Sequence, residues 1–296
     1  MFSYRHAFHA GNHADVLKHV VLIQTLSHAI QKEAPVFYVD THAGAGVYSL
    51  KSSQARKSAE SETGIHRLWQ ETEAPGAVAD YLNMIHEMNP TGNLQYYPGS
   101  PFIAEKMLRS QDRLRLYELH PTEIQVLTQN FRELEKQQSG TQRSSGRGKR
   151  VIVDRSDGFG ALKAVLPPPS RRAVVLIDPP YENKMDYQKV IDGMADAMKR
   201  FPTGTYLIWY PVLQRPESQR FAERLKKTVN QEWLNVTLSV SSPTPDGFGL
   251  VSSGMFVVNP PWKLAEGLEE TMPFIVSLLQ TDNGADYAIE TGTGKS

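Results

Sequence analysis

Five apolar residues, Ala173 to Ile177, run directly into Asp178-Pro179-Pro180-Tyr181. A short β-branched run without polar alternation, ending in a turn, predicts a strand buried on both faces, as in a parallel sheet. Two prolines cannot continue the ladder, and each restricts the residue before it. The strand therefore stops in a stiff turn that carries a carboxylate and an aromatic ring. In open α/β sheets ligands bind at that carboxyl edge. Proline has no N–H, so the turn exposes unpaired carbonyls. Asp178 and the Pro179 carbonyl can then accept both hydrogens of one planar amine, while the Tyr181 ring stacks on the base that carries it. This grip suits the exocyclic amine of adenine, whose lone pair is delocalised into the ring. Two acceptors favour a pyramidal nitrogen with that pair freed, which is charge stabilisation rather than covalent catalysis. A second copy, Asn259-Pro260-Pro261-Trp262, follows the apolar Met255 to Val258. We take it as a decoy, because only a short polar tail is expected after it.

The elements before Asp178 supply a binding edge. Pro35 to Asp40 reads as a strand, followed by Thr41-His42-Ala43-Gly44-Ala45-Gly46. A dinucleotide fingerprint would need a third glycine where Ser49 stands. The spacing D-x-x-x-G-x-G, from Asp40 to Gly46, is instead that of the cofactor loop of S-adenosylmethionine methyltransferases, and its glycines let a ligand approach the backbone. Ser100-Pro101 reads as an N-cap and a first-turn proline, which places Ser100 at a helix N-terminus that favours a carboxylate. Leu114 to Leu119 reads as a strand whose Glu118 can take both ribose hydroxyls. Strand 151–153 leads to Ser156-Asp157-Gly158, where Asp157 can accept from an adenine amine.

The rest alternates between the two periods. Helices are expected over 13–31 (capped by Asn12), 121–136, 186–200 and 216–229, with strands over 205–210, 234–241 and 252–258. Residues 50–93 break the rhythm. A polar stretch, 51–61, precedes helical patterns at 62–71 and 75–89, the second with a stripe of Val78, Tyr81, Leu82, Ile85 and Met88. Residues 281–296 show no core pattern and are expected to fray.

Of 296 residues 40% are hydrophobic, enough for a sizeable core. Cysteine is absent, which excludes disulfides, thiolate metal sites and a cysteine nucleophile and fits a reducing cytoplasm. No apolar run approaches the ~20 residues of a membrane span, and residues 1–19 lack the apolar core of a secretory signal. With 32 basic and 32 acidic residues the chain is balanced, which counts against nonspecific nucleic-acid binding. Eight Lys/Arg nevertheless fall between Arg143 and Arg172, either a solvated basic loop or a face for phosphates. His6, His9, His13 and His19 are spaced too loosely for a known metal pattern and no carboxylate completes one, so no metal is expected. A polar arm is preferred, in which Tyr4, Arg5, His6 and Lys18 meet a flipped base and its phosphates.

The N-terminal Ser3-Tyr4-Arg5-His6-Ala7-Phe8-His9-Ala10-Gly11-Asn12-His13-Ala14-Asp15-Val16-Leu17-Lys18-His19, the Asp40 to Gly46 loop and Ile177 to Tyr181 together resemble the RlmJ family of 23S ribosomal RNA adenine-N6 methyltransferases, over residues 2 to about 262. The resemblance implies an α/β class I, Rossmann-like methyltransferase core of seven strands, the last antiparallel, with a small helical insertion. On that reading 1–49 and 94–280 form the core, 50–93 the insertion and 281–296 a flexible tail. It implies S-adenosylmethionine as methyl donor and, as acceptor, an adenine of protein-free or early-precursor 23S rRNA, position 2030 in the family's usual target. His19, His42, Gly44, Ser100, Glu118, Asp157, Gly158 and Asp178 would hold the cofactor. Asp178, with Pro179 and Tyr181, would grip the amine for in-line transfer, and Tyr4, His6 and Lys18 would engage RNA or close the site. A cytoplasmic monomer is expected. The Arg/Gly-rich loop 139–149 looks extended for the family. The nearest rival is a DNA adenine-N6 methyltransferase, disfavoured because no large DNA-recognition domain is evident; a noncatalytic RNA-binding protein is the rival from another class.

Overall fold

The computed structural model describes residues 5–139, 149–244 and 249–294. After a 3-10 turn at His6–Phe8 comes helix α1 (His13–Ala29), whose Asn12 cap accepts from the Asp15 amide. Strands β1 (Phe37–Asp40) and β2 (Val47–Ser49) follow, then helices α2 (Ser53–Ser58), α3 (Ile65–Leu68) and α4 (Gly76–Met88). Next come β3 (Tyr96–Pro98), α5 (Ser100–Met107), β4 (Arg113–Tyr117), α6 (Pro121–Ser139), β5 (Val151–Asp154), α7 (Gly158–Val165) and β6 (Ala173–Ile177). The chain continues through α8 (Lys184–Arg200), β7 (Thr205–Pro211), α9 (Pro216–Gln219), α10 (Phe221–Thr228), β8 (Glu232–Ser239), β9 (Ser252–Val258), α11 (Leu264–Leu279) and β10 (Asp286–Thr293).

Eight of these strands form one sheet in the order β10-β8-β9-β7-β6-β1-β4-β5. From β5 to β7 all neighbours are parallel; β9 is antiparallel to both β7 and β8. The strand order reverses between β1 and β6, and such a switch point opens a crevice at the carboxyl edge. Val174 and Leu176 of β6 enter the core on one face of the sheet, Val175 and Ile177 the core on the other. That is why β6 reads as an unbroken apolar run. Helix α1 is buried nearly all round, packed on the sheet and beneath α4, α5 and α11, and so lacks a polar face.

Between β2 and β3 the chain makes the excursion through α2, α3 and α4. The two strands pair antiparallel and close its base, with Tyr48 opposite Tyr97. Helix α4 turns Val78, Tyr81, Leu82 and Ile85 inward.

Three expectations change. The stretch after Asn259 is no short polar tail: it holds α11, whose Leu264, Leu268, Met272, Ile275 and Leu279 are buried. Pro273 sits inside that helix and hides its period from a reading that treats proline as a breaker. Residues 286–293 do not fray but form β10, antiparallel to β8, so the sheet has an eighth strand. Tyr287 and Ile289 pack on the core while their neighbours face out, a polar edge strand whose weak alternation is easily missed. Finally, α2 stands where a polar loop was expected.

Deleting residues 281–296 is expected to uncover the β8 edge and lower Tm by about 5 °C or more, the effect of losing a few kcal/mol in a chain of this size. A thermal melt checks this, and an unchanged Tm would mean that β10 adds no stability.

Candidate active site

The carboxyl edge of β1, β4 and β6 opens into a cavity of about 260 Å³. His6, Lys18, His19, His42, Gly44, Ser100, Glu118, Asp157, Gly158, Asp178 and Pro179 all line it. Residues spread over 174 positions of sequence thus converge on one space. Tyr4 lies outside the described residues, as does most of the loop 139–149.

Asp178 meets Lys18 here. The Lys18 ammonium donates to Asp178 Oδ2 at 2.8 Å and pairs with Asp15 Oδ1 at 2.7 Å. Lys18 and Asp15 lie one turn apart on α1, so both face the turn after β6. Asp15 Oδ2 accepts from the Gly11 amide at 2.9 Å and contacts His6 Nε2 at 2.9 Å. Burial alone would raise the Asp15 carboxyl, but the His6 and Lys18 charges outweigh it and hold it well below the usual range. Burial would likewise lower Lys18; the Asp15 and Asp178 carboxylates outweigh it and raise it. Lys18 is buried. Lys18, expected to engage RNA or close the site, is thus held inside the cavity wall as the partner of Asp178 and Asp15. His6 is likewise engaged with Asp15, at the rim of the cavity. Asp178 Oδ1 carries no hydrogen bond among the described residues.

The glycine loop is held by acids. Asp40 is fully buried and accepts from Tyr38 Oη at 2.9 Å, Ser100 Oγ at 2.7 Å and the His42 amide at 3.3 Å. Burial pushes its carboxyl up to about 6. It shapes the loop from behind and does not line the cavity. Ser100 is the first residue of α5 with Gly99 as its cap, which corrects the N-cap expectation; its hydroxyl is committed to Asp40. Gly44 adopts φ +59°, and a Cβ there would stand 2.1 Å from the Tyr48 hydroxyl, so only glycine fits. The Gly44 amide donates to Glu118 Oε2 at 2.8 Å, and the His120 amide to Glu118 Oε1 at 2.6 Å. Each oxygen keeps a lone pair for a hydroxyl. Asp157 caps α7 by accepting from the Gly160 amide at 3.0 Å. A Cβ on Gly158 would lie 2.1 Å from the Thr41 carbonyl, so this residue packs directly on the loop after β1.

The histidines divide. His19 Nδ1 is 2.8 Å from Tyr97 Oη, which is 2.7 Å from Tyr81 Oη, so a buried chain of hydroxyls joins α4 to the cavity. His19 lines the cavity, and its Nε2 is buried with no hydrogen-bond partner among the described residues. Burial pushes His19 down to about 3 and His42 down to about 4, so both are neutral at physiological pH. His9 pairs with Glu60, and His13 Nε2 meets the Leu250 carbonyl at 2.7 Å. Among the described residues no three His, Asp or Glu side chains converge as metal ligands.

Tyr181 departs from expectation. Its ring is buried among Tyr187, Trp209 and Phe221, its hydroxyl donates to the Trp209 carbonyl at 2.8 Å, and it does not line the cavity. This corrects the expected stacking role: in this conformation the ring anchors the turn. The chain reverses at φ +50° there, which swings the ring into the core. The decoy Asn259 ends an antiparallel strand and so sits at the opposite edge of the sheet, where its amide donates to the Pro202 and Gly204 carbonyls. Sequence reasoning missed Asp15, Tyr48, Tyr97 and Glu123. The D-x-x-K spacing of Asp15 and Lys18 was the available signal for the first. Glu123 is buried in the cavity wall with Oε2 unpaired among the described residues, and burial, then Glu118, raises its carboxyl.

A sheet in which β5-β4-β1-β6-β7 run parallel and β9 enters antiparallel before β8, with a polar cavity at the switch point, defines a Rossmann-like class I methyltransferase. The family described as "Ribosomal RNA large subunit methyltransferase D, RlmJ" matches residues 33–289. "Ribosomal RNA large subunit methyltransferase J" of Escherichia coli K12 is 45% identical over 279 residues, 94% of each chain. Its namesake in Haemophilus influenzae is 44% identical over 98% of each chain. A crystal structure of a Legionella pneumophila protein, 32% identical, superposes with a TM-score of 0.84 over 96% of this chain and 98% of that one. The chain belongs to the RlmJ family.

The folded pKa of His19, about 3, lies below its ordinary 6.5. The folded state therefore binds fewer protons there, and stability is lost as pH falls below 6.5. Between pH 6.5 and 5 this amounts to about 2 kcal/mol. Unfolding titrations should show a slope over that window shallower by this amount in His19→Gln; an unchanged slope would place the proton elsewhere.

Proposed function

We propose that this chain methylates N6 of one adenine in 23S rRNA with S-adenosylmethionine as donor, the adenine being the one at position 2030 of the family's usual target. The observation that carries the reading is Asp178: a carboxylate at the switch-point cavity, steadied by a buried lysine through Oδ2, with Pro179 lining the same cavity. Relatives that align over nearly the whole chain are named for large-subunit rRNA methylation, which supports the substrate class.

The cavity suits the donor. Glu118 offers two carboxylate oxygens to vicinal hydroxyls, Asp157 an acceptor, and Gly44 a wall without a Cβ. His19 adds a neutral imidazole to the wall. When bound, S-adenosylmethionine supplies an electrophilic methyl group. The chain's own residues do the rest. Asp178 Oδ1 and the Pro179 carbonyl accept the two amine hydrogens and leave the nitrogen lone pair pointing away from both. Asp178 then takes the proton that the amine must lose. Lys18 fixes Asp178 in place and offsets its charge, so that the carboxylate need not reorganise during the reaction. Most of the rate comes from this positioning. The base must leave any stack before entering, which favours protein-free or early-precursor RNA over an assembled particle.

Asp178→Ala is expected to lower kcat by about 10³-fold or more and to keep the fold, because Lys18 retains Asp15 as partner. The assay is label transfer from methyl-labelled S-adenosylmethionine to protein-free 23S rRNA, assembled large subunits and DNA, with the nucleosides separated afterwards. Full activity in the variant would refute the role of Asp178; label in DNA alone would move the substrate to the rival class.

A further inference from the structure

The turn that carries Asp178 cannot lock itself. Two of its four residues are prolines and contribute no N–H, so backbone hydrogen bonds of its own are scarce. It ends at Tyr181, a bulky residue with φ +50°. That region is strained for any residue with a Cβ, at a cost on the order of 1–3 kcal/mol, and persists only where the surroundings over-determine it. Two anchors hold Tyr181. One is its own ring and hydroxyl in the aromatic core. The other comes from far along the chain: the Arg215 guanidinium donates through Nη2 to the Tyr181 carbonyl at 2.8 Å and to the Tyr187 hydroxyl at 2.9 Å.

Arg215 lies at the cap position of α9, beyond the end of β7, and Tyr187 lies on α8. One planar group therefore ties three elements together at the carboxyl edge, next to the Pro179 carbonyl that is to accept the amine. Arg215 does not line the cavity. Its Nε is buried and unpaired among the described residues, so the side chain bears a desolvation cost that packing alone does not explain.

We propose that Arg215 is a positioning residue for methyl transfer: by holding the Tyr181 carbonyl and the Tyr187 hydroxyl it keeps the strained turn in the one conformation that aims Asp178 and the Pro179 carbonyl at the target amine. This rests on the function proposed above. A lysine at this position lacks the planar guanidinium that lies 5.0 Å from the Tyr187 ring centroid while its Nη2 meets both acceptors.

The test compares wild type with Arg215→Ala, Arg215→Lys and Tyr187→Phe. Each is assayed for kcat and KM on protein-free 23S rRNA, for S-adenosylmethionine affinity by calorimetry, and for Tm. A displacement of about 1 Å at the turn is worth up to ~10²-fold in rate. For Arg215→Ala we expect kcat to fall between about 10-fold and 10²-fold with KM and cofactor affinity within about 2-fold of wild type. Arg215→Lys should recover part of the loss, and Tyr187→Phe should show a smaller loss of the same kind. If Arg215→Ala does not fold, the other two carry the comparison. A folded variant with wild-type kcat overturns the inference. So does a rise in KM at constant kcat, which would make Arg215 a substrate contact, or equal loss of kcat and cofactor affinity, which would make it merely structural. Failure of wild type to label RNA would sink the proposed function itself; normal wild-type turnover beside an unimpaired Arg215→Ala sinks only the role of Arg215.

Discussion

A buried lysine between two carboxylates organises this protein. Lys18 joins Asp15 on its own helix to Asp178 at the end of β6, and Asp15 in turn holds the Gly11 amide and His6. Burying Lys18 and Asp15 is expensive and each offsets the other, while the partly exposed Asp178 adds a second carboxylate to the lysine. Remove the lysine and two carboxylates face each other across the edge of the sheet. The same contact therefore fixes the first helix against the sheet, brings His6 to the cavity rim and orients the Asp178 carboxylate in the cavity.

Around that contact the fold supplies a crevice and little else. The reversal of strand order between β1 and β6 leaves a gap at the carboxyl edge, and the loops after β1, β4, β5 and β6 fill its walls. Asp40 spends most of its hydrogen-bonding capacity, and Glu118 about half, on the protein's own backbone and hydroxyls. These acids build the loop as much as they offer ligand contacts. The helices between β2 and β3 reach the same cavity through Tyr81, Tyr97 and His19, which gives this excursion a physical route to the site.

The aromatic cluster behind the turn illustrates how a motif residue can serve from inside the core. Tyr181 and Tyr187 both bury their rings, and their remaining polar atoms meet Trp209 and Arg215. A reading that assigns each motif residue to the substrate side of the turn overlooks this. The strain at Tyr181 is visible only in the backbone angle.

The parallel core was legible because β1, β4, β6 and β7 are buried on both faces and their side chains must be apolar throughout. The cavity wall was legible because Thr41 to Gly44, Glu118, Asp157 and Asp178 each follow a strand, and strand ends are where a doubly wound sheet binds ligands. The end of the chain was not. Pro273 interrupts the pattern of α11, and β10 alternates too weakly to distinguish it from a tail. Nor were the charge partnerships, since the 160 positions between Lys18 and Asp178 carry no local signal of their meeting. Local chemistry dictated which residues end strands, cap helices and tolerate positive φ, because those depend on near neighbours. Tertiary structure alone decided which charges are buried together and which ring turns inward, because each depends on groups that only folding brings within about 3 Å of one another.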